Sequence, residues 1–255
     1  VRVRVRVRVR VRVRVRMRVR VRLRLRVRVR VRVRTSAVVG EQAARDEADA
    51  ANAEKTKAME AEGKKVTSLC VGEPDFPPPT AVLDATVDAV RSGDTKYTAV
   101  TGTEPLRSAI AADLVKRKEL PYQPNEILVS NGAKQSVYQG VLAMCGPGDE
   151  VIIPAPYWVS YPEMVNLVGG TPVPIRAGIE SRFKITPEQL ENAITERTRL
   201  FVINSPSNPS GMAYSEEELA ALGEVLKKHP DIVVATDDMY EHILWTGKPF
   251  VNIVN

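Results

Sequence analysis

Ile232-Val233-Val234-Ala235-Thr236-Asp237-Asp238-Met239-Tyr240 is an apolar, β-branched run that stops at two carboxylates, with a tyrosine close behind. Its composition predicts a buried strand of the kind found in parallel sheets covered on both faces. Ligands of such sheets sit beyond the carboxyl ends of the strands. Asp237 is therefore expected where a strand ends and a pocket begins. A carboxylate in that position is costly unless a cation pairs with it.

Working outward, three more apolar runs end in unusual chemistry. Ile127-Leu128-Val129 reads as a short buried strand followed by Ser130-Asn131-Gly132-Ala133-Lys134-Gln135 and a helix over 136–145. Strand, glycine turn and helix start present free N–H groups to a phosphate, although the Walker spacing is absent. Val151-Ile152-Ile153 leads into Pro154-Ala155-Pro156-Tyr157-Trp158, where Trp158 offers either its face to a flat ring or a plug to the core. Residues 200–203 form a strand that runs into the rigid polar loop Asn204-Ser205-Pro206-Ser207-Asn208-Pro209-Ser210-Gly211. Extended residues 171–175 and helices over 80–92, 106–118, 187–194 and 215–228 fill the intervals, the last opened by a Ser215/Glu218 capping box. Strands alternating with helices predict an α/β fold with a mostly parallel sheet. Gly132 to Lys134, Trp158, Asn208 and Asp237 then gather on one rim, which marks a ligand site.

The chain has 255 residues, and its first 34 are a Val-Arg dipeptide repeat interrupted only by Met17, Leu23 and Leu25. The repeat holds 17 of the 37 basic residues and no acid, which leaves 20 basic against 31 acidic residues elsewhere. The net charge of +6 thus belongs to the repeat, and the remaining sequence is acidic, with nothing that points to nucleic acid. Alternating arginines rule out a signal peptide and a membrane-spanning helix. The expected organisation is a disordered or artefactual repeat over 1–34, a solvated helical arm over 35–63 closed by Gly63, and one domain over 64–255. Cys70 and Cys145 lack a CxxC spacing, and His229 and His242 lack partners at metal-ligand spacing, so no metal site is expected. A reducing compartment follows, hence a cytoplasmic location, or an organelle if the N-terminus is a mis-read targeting segment.

One ligand satisfies all four strand ends. An anion sits on the helix start after Gly132, and a flat ring stacks on Trp158. Asn208 and Tyr240 bond a ring oxygen, and Asp237 pairs with a cationic ring nitrogen. That ligand is pyridoxal 5'-phosphate, whose protonated ring is an electron sink. A carboxylate beside the ring nitrogen keeps it charged.

At the level of motifs, residues 63–245 resemble the class I (fold type I) aminotransferases, in their aspartate/prephenate branch. The matching stretches are Val71-Gly72-Glu73-Pro74-Asp75-Phe76, Lys96-Tyr97-Thr98, Val129 to Gln135, Pro147 to Pro162, Asn204 to Gly211 and Asp237-Asp238-Met239-Tyr240-Glu241. The resemblance implies the three-layer large domain of these transferases, truncated here, and amino-group transfer between aspartate or glutamate and a 2-oxo acid, prephenate among them. It implies that Gly132, Ala133 and Lys134 hold the cofactor phosphate, and that Trp158 stacks on the ring. It further implies that Asn208 and Tyr240 bond the ring oxygen and that Asp237, not Asp238, meets the ring nitrogen. Tyr97 would reach the cofactor phosphate of a partner subunit in a homodimer, and Gly72, Trp158 and Asn208 would touch the substrate. Ala155–Pro156 and Asn208–Pro209 are expected to be cis.

The family's Schiff-base lysine follows its Asp-x-x-Tyr motif by some tens of residues. Lys248 comes too early and lies in a Gly-Lys-Pro turn. No residue of 1–255 is therefore assigned as the covalent catalyst, and these residues alone are expected to be inactive. Two alternatives remain open: a non-enzymatic remnant or binding protein whose basic tail contacts polyanions, and a lyase or synthase built on the same fold.

Overall fold

The computed structural model describes residues 4–11, 23–30, 51–67 and 76–255. The chain divides into two units, Val1–Pro77 and Pro78–Asn255.

In the first unit the dipeptide repeat supplies β1 (Arg4–Val11) and β2 (Leu23–Arg30), paired antiparallel with Val5 opposite Val29 and Arg6 opposite Arg28. Residues 51–61 form helix α1. Gly63 ends it as expected, with φ +76° and backbone bonds from Gly63 N to Glu60 O (2.9 Å) and Lys64 N to Met59 O (3.1 Å).

The second unit opens with α2 (Thr80–Arg91), α3 (Glu104–Lys118) and α4 (Ala133–Met144). It continues as β3 (Glu150–Ala155), α5 (Ser160–Leu167), β4 (Thr171–Arg176), α6 (Pro187–Ala193), β5 (Thr198–Asn204), α7 (Glu216–Leu226) and β6 (Val233–Asp237). The four strands form one parallel sheet in the order β4-β3-β5-β6. Period-two alternation sorts the side chains of the central strands. Val151, Ile153, Leu200 and Val202 face one layer, where they meet Val141 of α4, Cys145 just past its end, and Tyr161 and Val165 of α5. Ile152, Phe201 and Ile203 face the other, against Leu190 of α6 and Leu219, Leu222 and Val225 of α7. The result is the expected three-layer α/β/α arrangement. The predicted capping box is present at α7, where Ser215 and Glu218 bond each other's backbone N–H.

Two expectations fail. Ile127-Leu128-Val129 is not a strand. A 3-10 turn (Pro124–Glu126) precedes it, Leu128 is half exposed, and its backbone links are Ile127 N to Pro124 O at 3.4 Å and Val129 N to Thr101 O at 3.0 Å, neither of them to a strand. A three-residue apolar run without a neighbouring strand has no ladder to join. β6 is only half buried, because among the described residues it pairs on one side alone, with β5. Val66 to Val71, by composition a short strand candidate, falls largely on residues outside those described, and 66–67 lie in no strand.

Strand order fixes where a ligand can lie. The chain leaves β3 for β4 on one side and then returns to place β5 on the other. The carboxyl ends of β3 and β5 diverge into loops at that switch point, and a crevice opens between them. Trp158 follows β3, Asn208 follows β5, and Asp237 ends the adjoining β6.

Candidate active site

A continuous series of contacts joins the strand ends. Lys134 places Nζ over the Trp158 ring, 5.2 Å from its centroid. Trp158 meets the Tyr161 ring edge-on, at 5.3 Å and 89°. Tyr161, in the first turn of α5 and 3% exposed, donates from its hydroxyl to Asp237 Oδ2 at 2.6 Å. Met239 N donates to the other oxygen, Oδ1, at 3.2 Å, so the carboxylate is held from two sides. Asn204 Nδ2 donates to the Asp237 carbonyl at 2.8 Å, and Asn204 Oδ1 accepts from Asn208 N at 2.7 Å. Asn208 Nδ2 reaches the Tyr240 hydroxyl at 3.5 Å. Lys134, Trp158, Asp237, Asn208 and Tyr240, chosen from sequence, are thus brought together.

Burial, together with the Asp237 carboxylate it donates to, raises the Tyr161 phenol far above its usual value. It therefore stays a donor at any ordinary pH and fixes the direction in which Asp237 can accept a second bond.

At the other end of the series, Gly132 begins α4 with φ +86°, a conformation that side-chain-bearing residues rarely adopt. A Cβ there would meet nothing within 4 Å, so the backbone angle rather than space calls for glycine. Gln135 Oε1 takes the Asn131 N–H at 2.7 Å, while the N–H groups of Ala133 and Lys134 open the helix, where no intrahelical carbonyl reaches them. Anions are favoured at such a start.

Asp238, next in sequence, turns the other way. Its Oδ2 accepts from Lys118 Nζ (2.7 Å) and Asn252 Nδ2 (2.5 Å), and its Oδ1 from Thr236 Oγ1 (2.7 Å). Lys118 also pairs with Glu241 at 2.5 Å, and Arg117 does so at 2.9 Å. Burial alone would lower the Lys118 ammonium, but its bonds to Asp238 and Glu241 outweigh that and leave it above its usual value. Of the two acids, Asp237 is the one that lies in the contact series with Tyr161 and Trp158. The second acid ties the loop that carries Tyr240 to the end of α3.

Three further expectations have mixed outcomes. Ala155–Pro156 and Asn208–Pro209 are cis, and so is Ser205–Pro206. Tyr97 is fully exposed and touches none of these groups. Gly72 lies outside the described residues. Sequence reasoning gave no role to Tyr161 or Asn204. Tyr161 stands three residues past Trp158, and Asn204 ends a strand four residues before Asn208, but neither spacing points to Asp237, the distant partner both of them bond.

The donor set fits pyridoxal 5'-phosphate. It offers a flat aromatic face, an acid for a cationic ring nitrogen, an amide and a phenol for a ring oxygen, and a helix start with a lysine for an anion. Among the described residues no group of His, Cys, Asp and Glu could hold a metal.

The family model for class I and II aminotransferases matches residues 64–255. The chain belongs to that family. Homologues in it are pyridoxal-phosphate-dependent transferases. Among relatives, the aspartate/prephenate aminotransferase of Nitrosomonas europaea is 59% identical over 201 residues, which are 79% of this chain and 51% of that protein. The aspartate aminotransferase of Bacillus subtilis is 48% identical over 199 residues, 78% of this chain and 50% of that one. Among solved structures, the aspartate aminotransferase of Rhizobium meliloti aligns with a TM-score of 0.75 at 47% identity, over 79% of this chain and 50% of that chain. The Thermus thermophilus enzyme with maleate gives 0.73 at 38%, over 86% and 54%. The chain spans about half the length of the curated relatives it matches.

Proposed function

We propose that residues 64–255 are the cofactor-binding part of an aspartate/prephenate-type aminotransferase, which moves an amino group between aspartate or glutamate and a 2-oxo acid, prephenate among them. The contact series from Lys134 through Trp158, Tyr161, Asp237, Asn204 and Asn208 to Tyr240 supports this most directly. It brings together on one rim the groups that would hold the cofactor ring.

When bound, the cofactor supplies an electron sink for the α-carbon of an amino acid. Asp237 holds a proton on the ring nitrogen, and Tyr161 and Met239 N keep its carboxylate aimed. Asn208 and Tyr240 bond the ring oxygen. Trp158 covers one face of the ring and keeps water from it. Gly132, Ala133 and Lys134 bind the phosphate. Trp158 and Asn208 would also meet the substrate, and the family resemblance gives Gly72 the same part. Tyr97 stands clear of its own chain's surface, which suits a contact with the cofactor of a second copy in a homodimer.

Equilibrium dialysis of the chain against pyridoxamine 5'-phosphate tests the binding part. Saturable binding is expected, weakened about tenfold by Trp158→Ala, the worth of one aromatic contact. No saturable binding would overturn the proposal. In a chain continued to its relatives' length, Asp237→Ala should still bind cofactor, yet transaminate aspartate at least about 100-fold more slowly. Near-normal turnover would remove Asp237 from its role.

A further inference from the structure

We propose that Asn204 is a positioning residue that sets the distance between the ring-nitrogen partner and the ring-oxygen donor. This rests on the function proposed above and deepens it.

Asn204 is the last residue of β5 and stands opposite Asp237 in the parallel ladder. Beyond that point the two strands part and no further ladder bond is made. The Asn204 side chain takes over. Its Nδ2 donates to the Asp237 carbonyl at 2.8 Å, and its Oδ1 accepts from Asn208 N at 2.7 Å. Both bonds lie in the normal range for amide hydrogen bonds. One planar amide therefore holds two backbones, the end of β6 and the 205–211 loop, in a fixed relation. Those backbones carry the two side chains that would hold the ring nitrogen and the ring oxygen.

Few side chains can do this. The bridge needs a donor and an acceptor on one short, rigid plane. Aspartate has the same shape and keeps the acceptor, but it has no donor and would set a negative charge against the Asp237 carbonyl. Serine is too short to span both partners. Glutamine adds a rotatable bond. The loop has its own closures, Gly211 N to Ser207 O at 2.8 Å and Ser207 N to Met212 O at 2.9 Å, so it need not unfold when the bridge is lost. What fails is the placement of Asn208 relative to Asp237. The same aspartate is fixed twice, its carboxylate by Tyr161 and its backbone by Asn204.

Two ligands separate positioning from general damage. Pyridoxamine 5'-phosphate has the ring nitrogen and ring oxygen that Asp237 and Asn208 would hold. Phenyl phosphate has the flat ring and the phosphate but neither of those atoms. Affinities of both are measured by equilibrium dialysis for the unaltered 255-residue chain, Asn204→Ala and Asn204→Asp. Asn204→Ala is expected to weaken pyridoxamine 5'-phosphate about tenfold or more and to leave phenyl phosphate within about twofold, with Asn204→Asp between the two. Equal losses for both ligands, or no loss for either, would overturn the inference. Should Asn204→Ala fail to fold, the isosteric Asn204→Asp decides alone by the same ratio. A different failure shows in the unaltered chain: if it does not prefer pyridoxamine 5'-phosphate to phenyl phosphate, the proposed function falls and Asn204 loses its role with it.

Discussion

The central strands and the segment ahead of them are built to opposite standards. Along β3 and β5, Val151, Ile152, Ile153, Leu200, Phe201, Val202 and Ile203 are at most 3% exposed. In α2, by contrast, no residue is buried, and Val82, Leu83, Val87 and Val90 stand 45 to 61% exposed. α3 buries only Ala111. Both regions are rich in apolar residues, so hydrophobic content does not separate them. The sheet strands find partners within the chain on both faces, whereas the α2 face finds none among the described residues. The candidate site sits at the end of the well-packed region, which is what a set of groups held to fractions of an ångström requires.

The contrast can be broken by experiment, beginning with the largest effect. Phe201→Ala in the middle of β5 should cost about 3–5 kcal/mol in urea or thermal unfolding, because it empties a fully buried ring. A loss below 1 kcal/mol would mean that the sheet is no better packed than α2. Lys118→Met should cost about 2–3 kcal/mol, since it removes the one ammonium that Asp238 and Glu241 share in a largely buried network. The same network gives a sign for pH. Despite burial, which would raise it, the Glu241 carboxyl lies below its ordinary 4.5, held there by Lys118 and Arg117. Its contribution is therefore complete above pH 4.5 and fades as pH falls further, and Lys118→Met should flatten that part of the acid unfolding curve. Ser215→Ala, which removes the α7 cap, should cost about 1 kcal/mol by thermal unfolding. At the bottom of the scale, Val87→Ser in α2 should shift stability by under about 0.5 kcal/mol. A loss above 1 kcal/mol would show that this face is covered in solution.

Sequence exposed the same division. Strands β3 and β5 were legible because their apolar runs are continuous and bounded by turn residues, and α7 because its cap is written in Ser215 and Glu218. Ile127-Leu128-Val129 misled because composition reports a preference for burial but not whether a neighbouring strand is present. The run ending at Asp237 was correctly read as a strand, yet pairing on one side leaves it half exposed. Within the site, the groups that would meet the ligand carry distinctive chemistry and could be named in advance. Tyr161 and Asn204 could not, because each acts on a residue 76 or 33 positions away. An ordinary tyrosine and an ordinary asparagine acquire meaning only when the sheet brings their partners near.

Asp237 and Asp238 face away from each other, one toward Tyr161 and the other toward Lys118. Removing a single residue within β6 would move Asp238 into the place of Asp237. The wrong carboxylate would then look into the crevice, and the α3 lysine would face Met239. The length of that strand is thus as strictly set as the identity of any group in the site, and a one-codon deletion there should be worse tolerated than most substitutions around it.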